Sequence, residues 1–194
     1  MRVAIVKYNA GNTASVVNAL TRLGVEPVIT DVAEELIVAD KVIFPGVGEA
    51  STAMRYLQDR RLDAAIKSLQ QPVLGICLGM QLMCAVSEEN ETLCLGILPH
   101  RVRKFASETL KIPHTGWNQV ARLRSPLFQG VEDAEWFYFV HGYYVEAGTD
   151  TTAVSEYGIT FSAGVESNNF HAIQFHPEKS GAAGARVLKN FLNL

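Results

Sequence analysis

The sequence predicts a three-layer α/β fold: a mostly parallel central sheet with helices on both faces, extended by added antiparallel strands. Three observations carry this. Through the first half, short apolar runs alternate with stretches whose apolar residues recur every three or four positions. The connections between them are short, and glycine stands where a strand hands over to a helix. Beyond residue 100 the pattern changes to polar–apolar alternation, the mark of strands with one buried face. At 194 residues, with no linker, repeat or low-complexity tract, the chain reads as a single domain over residues 1–194.

Each element follows from its residues. Val3 to Val6 is a first strand. Its four apolar residues, set between charges, are too short for a signal peptide or a membrane span. A helix starts near Asn12 or Thr13, with Val16, Val17, Leu20 and Leu23 as its stripe, and Gly24 closes it. Val25 to Thr30 is a second strand, held to a sheet edge by Pro27. Lys41 to Phe44 is a third, running straight into Pro45-Gly46-Val47-Gly48. Helical positions follow at Ala53, Met54 and Leu57, and again at Leu62, Ala65, Ile66 and Leu69. Val73 to Ile76 is a fourth strand, and Leu78, Leu82 and Val86 share a face of the helix behind it. Alternating segments at 101–105, 118–123, 135–144, 151–155 and 160–166 predict antiparallel strands joined to the sheet. A last strand, Phe170 to Phe175, ends at His176-Pro177-Glu178, and a final helix begins near Ser180 with Ala183, Val187, Leu188 and Phe191 inward.

Composition narrows the function classes. A formal charge of -3 offers no electrostatic case for nucleic acid or an anionic membrane. Cys77, Cys84 and Cys94 are odd in number and form no C-x-x-C pair, which supports neither a disulfide framework nor a zinc site. A reducing cytoplasm is the expected compartment, with no metal and no cofactor.

The chemistry concentrates at Gly75-Ile76-Cys77-Leu78-Gly79, a G-x-C-x-G sequence between a strand and a helix. A cysteine at a helix N-terminus is favoured as thiolate by the peptide dipoles, and the Leu78 N–H behind it is expected to be free for an oxyanion. A core cysteine in a glycine-rich turn is the competing reading of these five residues alone. The nucleophile needs a base, and that base needs an orienting partner. Of five histidines, His176 stands out because it ends a strand. Pro177 fixes the turn after it, and Glu178, two residues on in an extended turn, is expected to face the imidazole. His171 lies inside a strand and reads as structural, and nothing nominates His100. The glycines of Pro45–Gly48 allow a peptide to turn an N–H toward a developing charge. In a parallel sheet all three segments sit at strand carboxyl ends, where functional residues gather.

These segments carry a resemblance. V-L-G-I-C-L-G-M-Q around Cys77, F-P-G-V-G at Phe44–Gly48 and Q-F-H-P-E at Gln174–Glu178 resemble the class I, triad glutamine amidotransferases, whose fold is flavodoxin-like. I-P-H-T-G-W-N at Ile112–Asn118, W-F-Y-F-V-H at Trp136–His141 and K-S-G-A-A-G at Lys179–Gly184 are similar to the glutaminase subunits of imidazole glycerol phosphate synthases. The resemblance spans the first strand to the last helix. It implies that Cys77, His176 and Glu178 are the triad, that Val47, Gly48 and Leu78 supply the oxyanion hole, and that Gln81, His141, Gly142 and Tyr143 bind L-glutamine. It departs from the family at Gly142, where serine is usual. It further implies a heterodimer with a (βα)₈-barrel cyclase subunit that consumes the ammonia, with Asn12, Tyr138 and Lys179 at the interface. Cys84 reads as core packing. A glutaminase serving another synthase and a non-catalytic module of the same fold are the alternatives.

Overall fold

The computed structural model describes residues 1–9 and 13–194, so Asn12 lies outside the described residues. In chain order the elements are β1 Val3–Val6, α1 Thr13–Arg22, β2 Val28–Thr30, α2 Ala33–Ile37, β3 Lys41–Phe44, α3 Ala50–Asp59, α4 Leu62–Ser68, β4 Val73–Ile76 and α5 Leu78–Met83. Then come β5 Val86–Ser87, β6 Thr92–Leu93, β7 Arg101–Lys104, β8 His114–Val120, β9 Glu135–His141, β10 Tyr143–Glu146, β11 Thr151–Glu156, β12 Thr160–Ser167, β13 Phe170–Ile173 and α6 Gly181–Leu192.

The main sheet runs in the order β2-β1-β3-β4-β13-β12-β10-β7-β5-β6, with β11 pairing to β12 off this path. β2, β1, β3, β4 and β13 are mutually parallel, and antiparallel pairing begins at β12. The strands β1, β3, β4 and β13 are buried at every position, as a sheet covered on both faces requires. Successive residues of β1 enter opposite cores. Ala4 and Val6 join α2–α5 on one face, while Val3 and Ile5 join α1 and α6 on the other. β2 is an edge strand, as Pro27 required.

Three expectations need correction. The helix behind the cysteine turn ends at Met83, and Val86 belongs to β5 rather than to that helix face. The long strand expected over 135–144 is divided, with β9 ending at His141 and β10 starting at Tyr143. Gly142, with no side chain to pack, is the break. The strand expected over 118–123 is β8, and it pairs only with β9 in a separate two-stranded ribbon. That ribbon is a layer over the sheet: its inner face sends Phe137 and Phe139 into the α1–α6 core. Both ribbon strands therefore alternate as sheet strands do, although neither joins the main sheet.

The consequence for function is positional. β3, β4 and β13 are adjacent and parallel, so the segments leaving them (Pro45–Gly48, Cys77 and Gln174–Glu178) emerge at one rim.

Candidate active site

Cys77 occupies an unusual backbone position, φ 52° and ψ −108°. A non-glycine residue there costs about 1–3 kcal/mol, and such strain persists only where the surroundings enforce it. Here the Cys77 N–H donates to the Ile173 carbonyl at 2.8 Å, tying it to β13, while its own carbonyl accepts the Gln81 N–H at 3.2 Å. The flanking glycines are needed for packing. A Cβ on Gly79 would stand 1.8 Å from the Phe44 carbonyl oxygen, so α5 can leave the turn only because this residue has none. The sulfur is 3.5 Å from Gln174 Nε2, which donates to it, and 3.8 Å from the Val140 carbonyl.

His176 and Glu178 meet, in a different geometry from the extended turn expected. Pro177–Lys179 is a single 3₁₀ turn, and it brings His176 Nδ1 to 2.8 Å from Glu178 Oε1. Both side chains are 2% exposed, so this is a contact made almost out of water. The His176 N–H donates to the Tyr138 carbonyl at 2.9 Å, and Ser180 Oγ donates to the His176 carbonyl at 2.6 Å. Burial pulls the His176 imidazolium toward neutrality, but the Cys77 sulfur and the Glu178 carboxylate outweigh it and push its pKa up to about 10. His176 Nε2 and Glu178 Oε2 are buried without a hydrogen-bond partner among the described residues. An imidazole whose charged form is stabilised by a carboxylate at Nδ1 and by a nearby sulfur, with Nε2 left unpartnered among the described residues, is suited to proton transfer with that sulfur.

The loop after β3 corrects one expectation directly. The Leu78 N–H is not free, because it donates to the Gly46 carbonyl at 3.3 Å. The oxygen of the peptide joining Gly46 to Val47 thus occupies the Leu78 donor. Gly48 has φ +139°, a conformation open to glycine, and the buried Tyr8 hydroxyl donates to the Pro45 carbonyl.

One cavity of about 280 Å³ gathers most of the sequence-predicted residues: Val47, Gly48, Cys77, Leu78 and Gln81 on the sheet side, and His141, Gly142 and Tyr143 on the other. His176 and Glu178 lie behind Cys77, outside the lining. Gln81 Nε2 donates to the Tyr143 carbonyl at 3.0 Å and to Gln174 Oε1 at 2.9 Å. Two residues that sequence reasoning misses belong here. Glu89 lines the same cavity, and burial pushes its carboxyl pKa up. It stands in a polar stretch that reads as an ordinary loop. Gln174 links Gln81 to the sulfur, and only its place beside the His-Pro-Glu corner could have nominated it.

Tyr138 and Lys179 are neighbours, with the Lys179 ammonium 5.7 Å from the Tyr138 ring centroid. Beside them, Trp117 and Trp136 are 53% and 50% exposed on the outer face of the β8–β9 ribbon. His171 is buried against Glu166, with Nδ1 3.3 Å from its carboxylate, and His100 Nε2 is 3.5 Å from Asp150, so neither reaches this cavity. Cys84 is fully buried in the core, and burial pushes its thiol pKa far up. Among the described residues, no cluster of three or more His, Cys, Asp or Glu is placed to hold a metal, and no helix is long and apolar enough to cross a membrane.

The chain as a whole is similar to known proteins. The family model described as "Glutamine amidotransferase class-I" matches residues 4–194. A protein of Bacteroides fragilis strain YCH46 named imidazole glycerol phosphate synthase subunit HisH is 56% identical over 196 residues, covering 100% of each chain. The protein of that name in Photorhabdus laumondii is 47% identical over 201 residues, again covering both chains fully. The fold is similar to a solved structure described as a glutamine amidotransferase (TM-score 0.76, 19% identity, covering 98% of this chain and 97% of that one). It is also similar to PurLQS from Thermotoga maritima (TM-score 0.74, 21% identity, covering 99% and 97%).

Proposed function

Because the chain belongs to the class I glutamine amidotransferases, and within them to the HisH subunits of imidazole glycerol phosphate synthase, we propose that Cys77, His176 and Glu178 are its catalytic triad and that its ammonia goes to a cyclase subunit. The observation that carries this is the buried 2.8 Å His176–Glu178 contact, with the imidazole held charged beside a strained cysteine. With the proton on His176, the Cys77 sulfur attacks the glutamine carboxamide. The S–C bond forms as the oxygen takes up negative charge. Collapse of that intermediate breaks the C–N bond, and ammonia leaves with the proton from His176. Water then attacks the thioester, giving its proton to His176, and glutamate departs as the sulfur is released. Glu178 holds the imidazole tautomer and stabilises its charge throughout.

Glutamine fits the cavity by charge as well as by reach. The Glu89 carboxylate is available for its ammonium, and Gln81 with the His141–Tyr143 backbone is available for the remaining polar groups. In the oxyanion hole, the Leu78 N–H now held by Gly46 has to be released. A half-turn of the Gly46–Val47 peptide frees it and aims the Val47 N–H at the same point. One such donor is worth about 10²–10³ in rate. This gives glutaminase activity a resting state. A partner that favours the turned peptide switches it on.

That partner, in this reading, is a (βα)₈-barrel cyclase subunit, which would use the ammonia to make imidazole glycerol phosphate and AICAR. Tyr138 and Lys179, with the exposed Trp117 and Trp136, offer an aromatic and cationic docking face for it. Residues 1–194 form a single glutaminase domain in this reading, and the unpaired thiols of Cys77, Cys84 and Cys94 suit the cytoplasm. The test is glutamine hydrolysis with the ligand-loaded cyclase subunit present and with it left out. Wild type is expected to turn over fast only in the loaded complex, and Cys77→Ala is expected to be inactive while still binding the partner. Equal turnover by Cys77→Ala would overturn the triad, and equal turnover without the partner would overturn the switch.

A further inference from the structure

A directed chain of hydrogen bonds runs from the β8–β9 ribbon to the wall of the glutamine cavity. Its order is fixed by groups that have only one role. The Tyr143 carbonyl can only accept, so His141 Nδ1, 2.7 Å away, carries the proton. The Nε2 of a neutral His141 is then an acceptor, and His114 Nδ1 at 2.9 Å must donate to it. His114 Nε2 is left as an acceptor facing Asn118 Nδ2 at 3.4 Å. The Asn118 amide cannot be reversed, because its Oδ1 accepts the Gln119 N–H at 2.8 Å and its Nδ2 donates to the Glu156 carbonyl at 2.8 Å.

The rings are held as firmly as the bonds. His114 is stacked on Tyr157 with centroids 4.0 Å apart and planes 18° apart, and on Phe139 at 5.1 Å. Burial lowers the pKa of His114 to about 4 and that of His141 to about 3, so both are neutral near pH 7. The far end of the chain is chemical. The Tyr143 carbonyl also accepts from Gln81 Nε2, which reaches Gln174 and through it the Cys77 sulfur.

We infer that His114 and Asn118 are positioning residues for glutamine: by fixing the tautomer and orientation of His141 they set the His141–Gly142–Tyr143 wall of the cavity. The wall needs an anchor here because it turns at Gly142, which adds no side chain and leaves the backbone freest at the point of contact. This inference rests on the cavity being the glutamine site. It concerns residues that do not themselves line that cavity, since neither His114 nor Asn118 is among its walls.

The test uses the complete complex, with the cyclase subunit carrying its ligand. His114→Phe keeps the aromatic stack and removes the donor. It is expected to raise KM for glutamine about five- to tenfold, with kcat changed less than about twofold, the loss expected of one buried hydrogen bond. His114→Asn puts an amide N–H near the former Nδ1 and is expected to recover most of the KM. An unchanged KM in a folded His114→Phe protein, or no difference between the Phe and Asn variants, overturns the inference. Imidazole ¹⁵N signals of the wild type decide it independently of any variant's folding. Protonated Nδ1 on both rings supports it, and a proton on His141 Nε2 overturns it. If wild type fails to hydrolyse glutamine, the cavity's assignment falls, and the ¹⁵N result still reports on the chain of bonds.

Discussion

At the scale of single residues, strain and contact are divided between neighbours. Cys77 takes the unusual backbone angles, and Gly79 takes the close approach, because the carbonyl of Phe44 occupies the space its side chain would need. Gly79→Ala must therefore push α5 away from β3, and backbone cannot yield as a flexible side chain does. We expect it to lower stability by about 3 kcal/mol and to abolish glutaminase activity, seen as a shifted urea midpoint and as turnover in the complex. The candidate triad was legible from the sequence, because strand-end cysteine, glycine spacing and His-Pro-Glu are local patterns, and the structure brings His176 and Glu178 into contact. The state of Leu78 was not. Whether its N–H is free depends on the Gly46 carbonyl, thirty-two residues away, and a peptide's orientation leaves no mark in the residue types.

At the scale of elements, the β8–β9 ribbon shows the limits of periodicity. Its polar–apolar alternation was readable, and so were its two strands in outline. Alternation reports that one face is buried without saying against what. The ribbon lies over the sheet and carries two neutral histidines into the core, a use of polar residues that a count of apolar positions cannot see. Those rings make the element sensitive to acid. Their folded pKa values, about 4 and about 3, lie below the ordinary histidine value of 6.5. Protons therefore bind more readily to the unfolded chain, so the contribution is fully present above about pH 6.5 and is lost as pH falls toward 4. Denaturant midpoints are expected to fall between pH 7 and pH 4.5, and to fall less in His114→Phe. A midpoint insensitive to pH over that window would show that the rings titrate alike in both states.

At the scale of the whole molecule, the chain reads as an α/β sheet that exports its chemistry to one rim. The sequence revealed the parallel half because its strands are continuous apolar runs joined by short loops. The order β13-β12-β10-β7 was hidden, since antiparallel partners are chosen by tertiary packing and not by spacing. The parallel order makes the cysteine, the histidine corner and the glycine loop neighbours, and the ribbon closes the fourth side. Tyr138 ties the two regions together, its carbonyl bound to His176 and its ring beside Lys179 on the outer face. A protein seated on that face would press on the backbone that holds His176.

That outer face also has an optical consequence. The chain contains two tryptophans, Trp117 and Trp136, and both stand half in water on the same side of the ribbon. Indole emission from the whole protein is thus a signal from this one surface, with no background from the core. Mixing it with a tryptophan-free cyclase variant is expected to move the emission maximum to the blue and to protect it from iodide quenching. A spectrum that stays red and fully quenchable in the assembled pair would put the contact elsewhere on the molecule. Excited at the indole band, the protein carries its own label where its partner is expected to arrive.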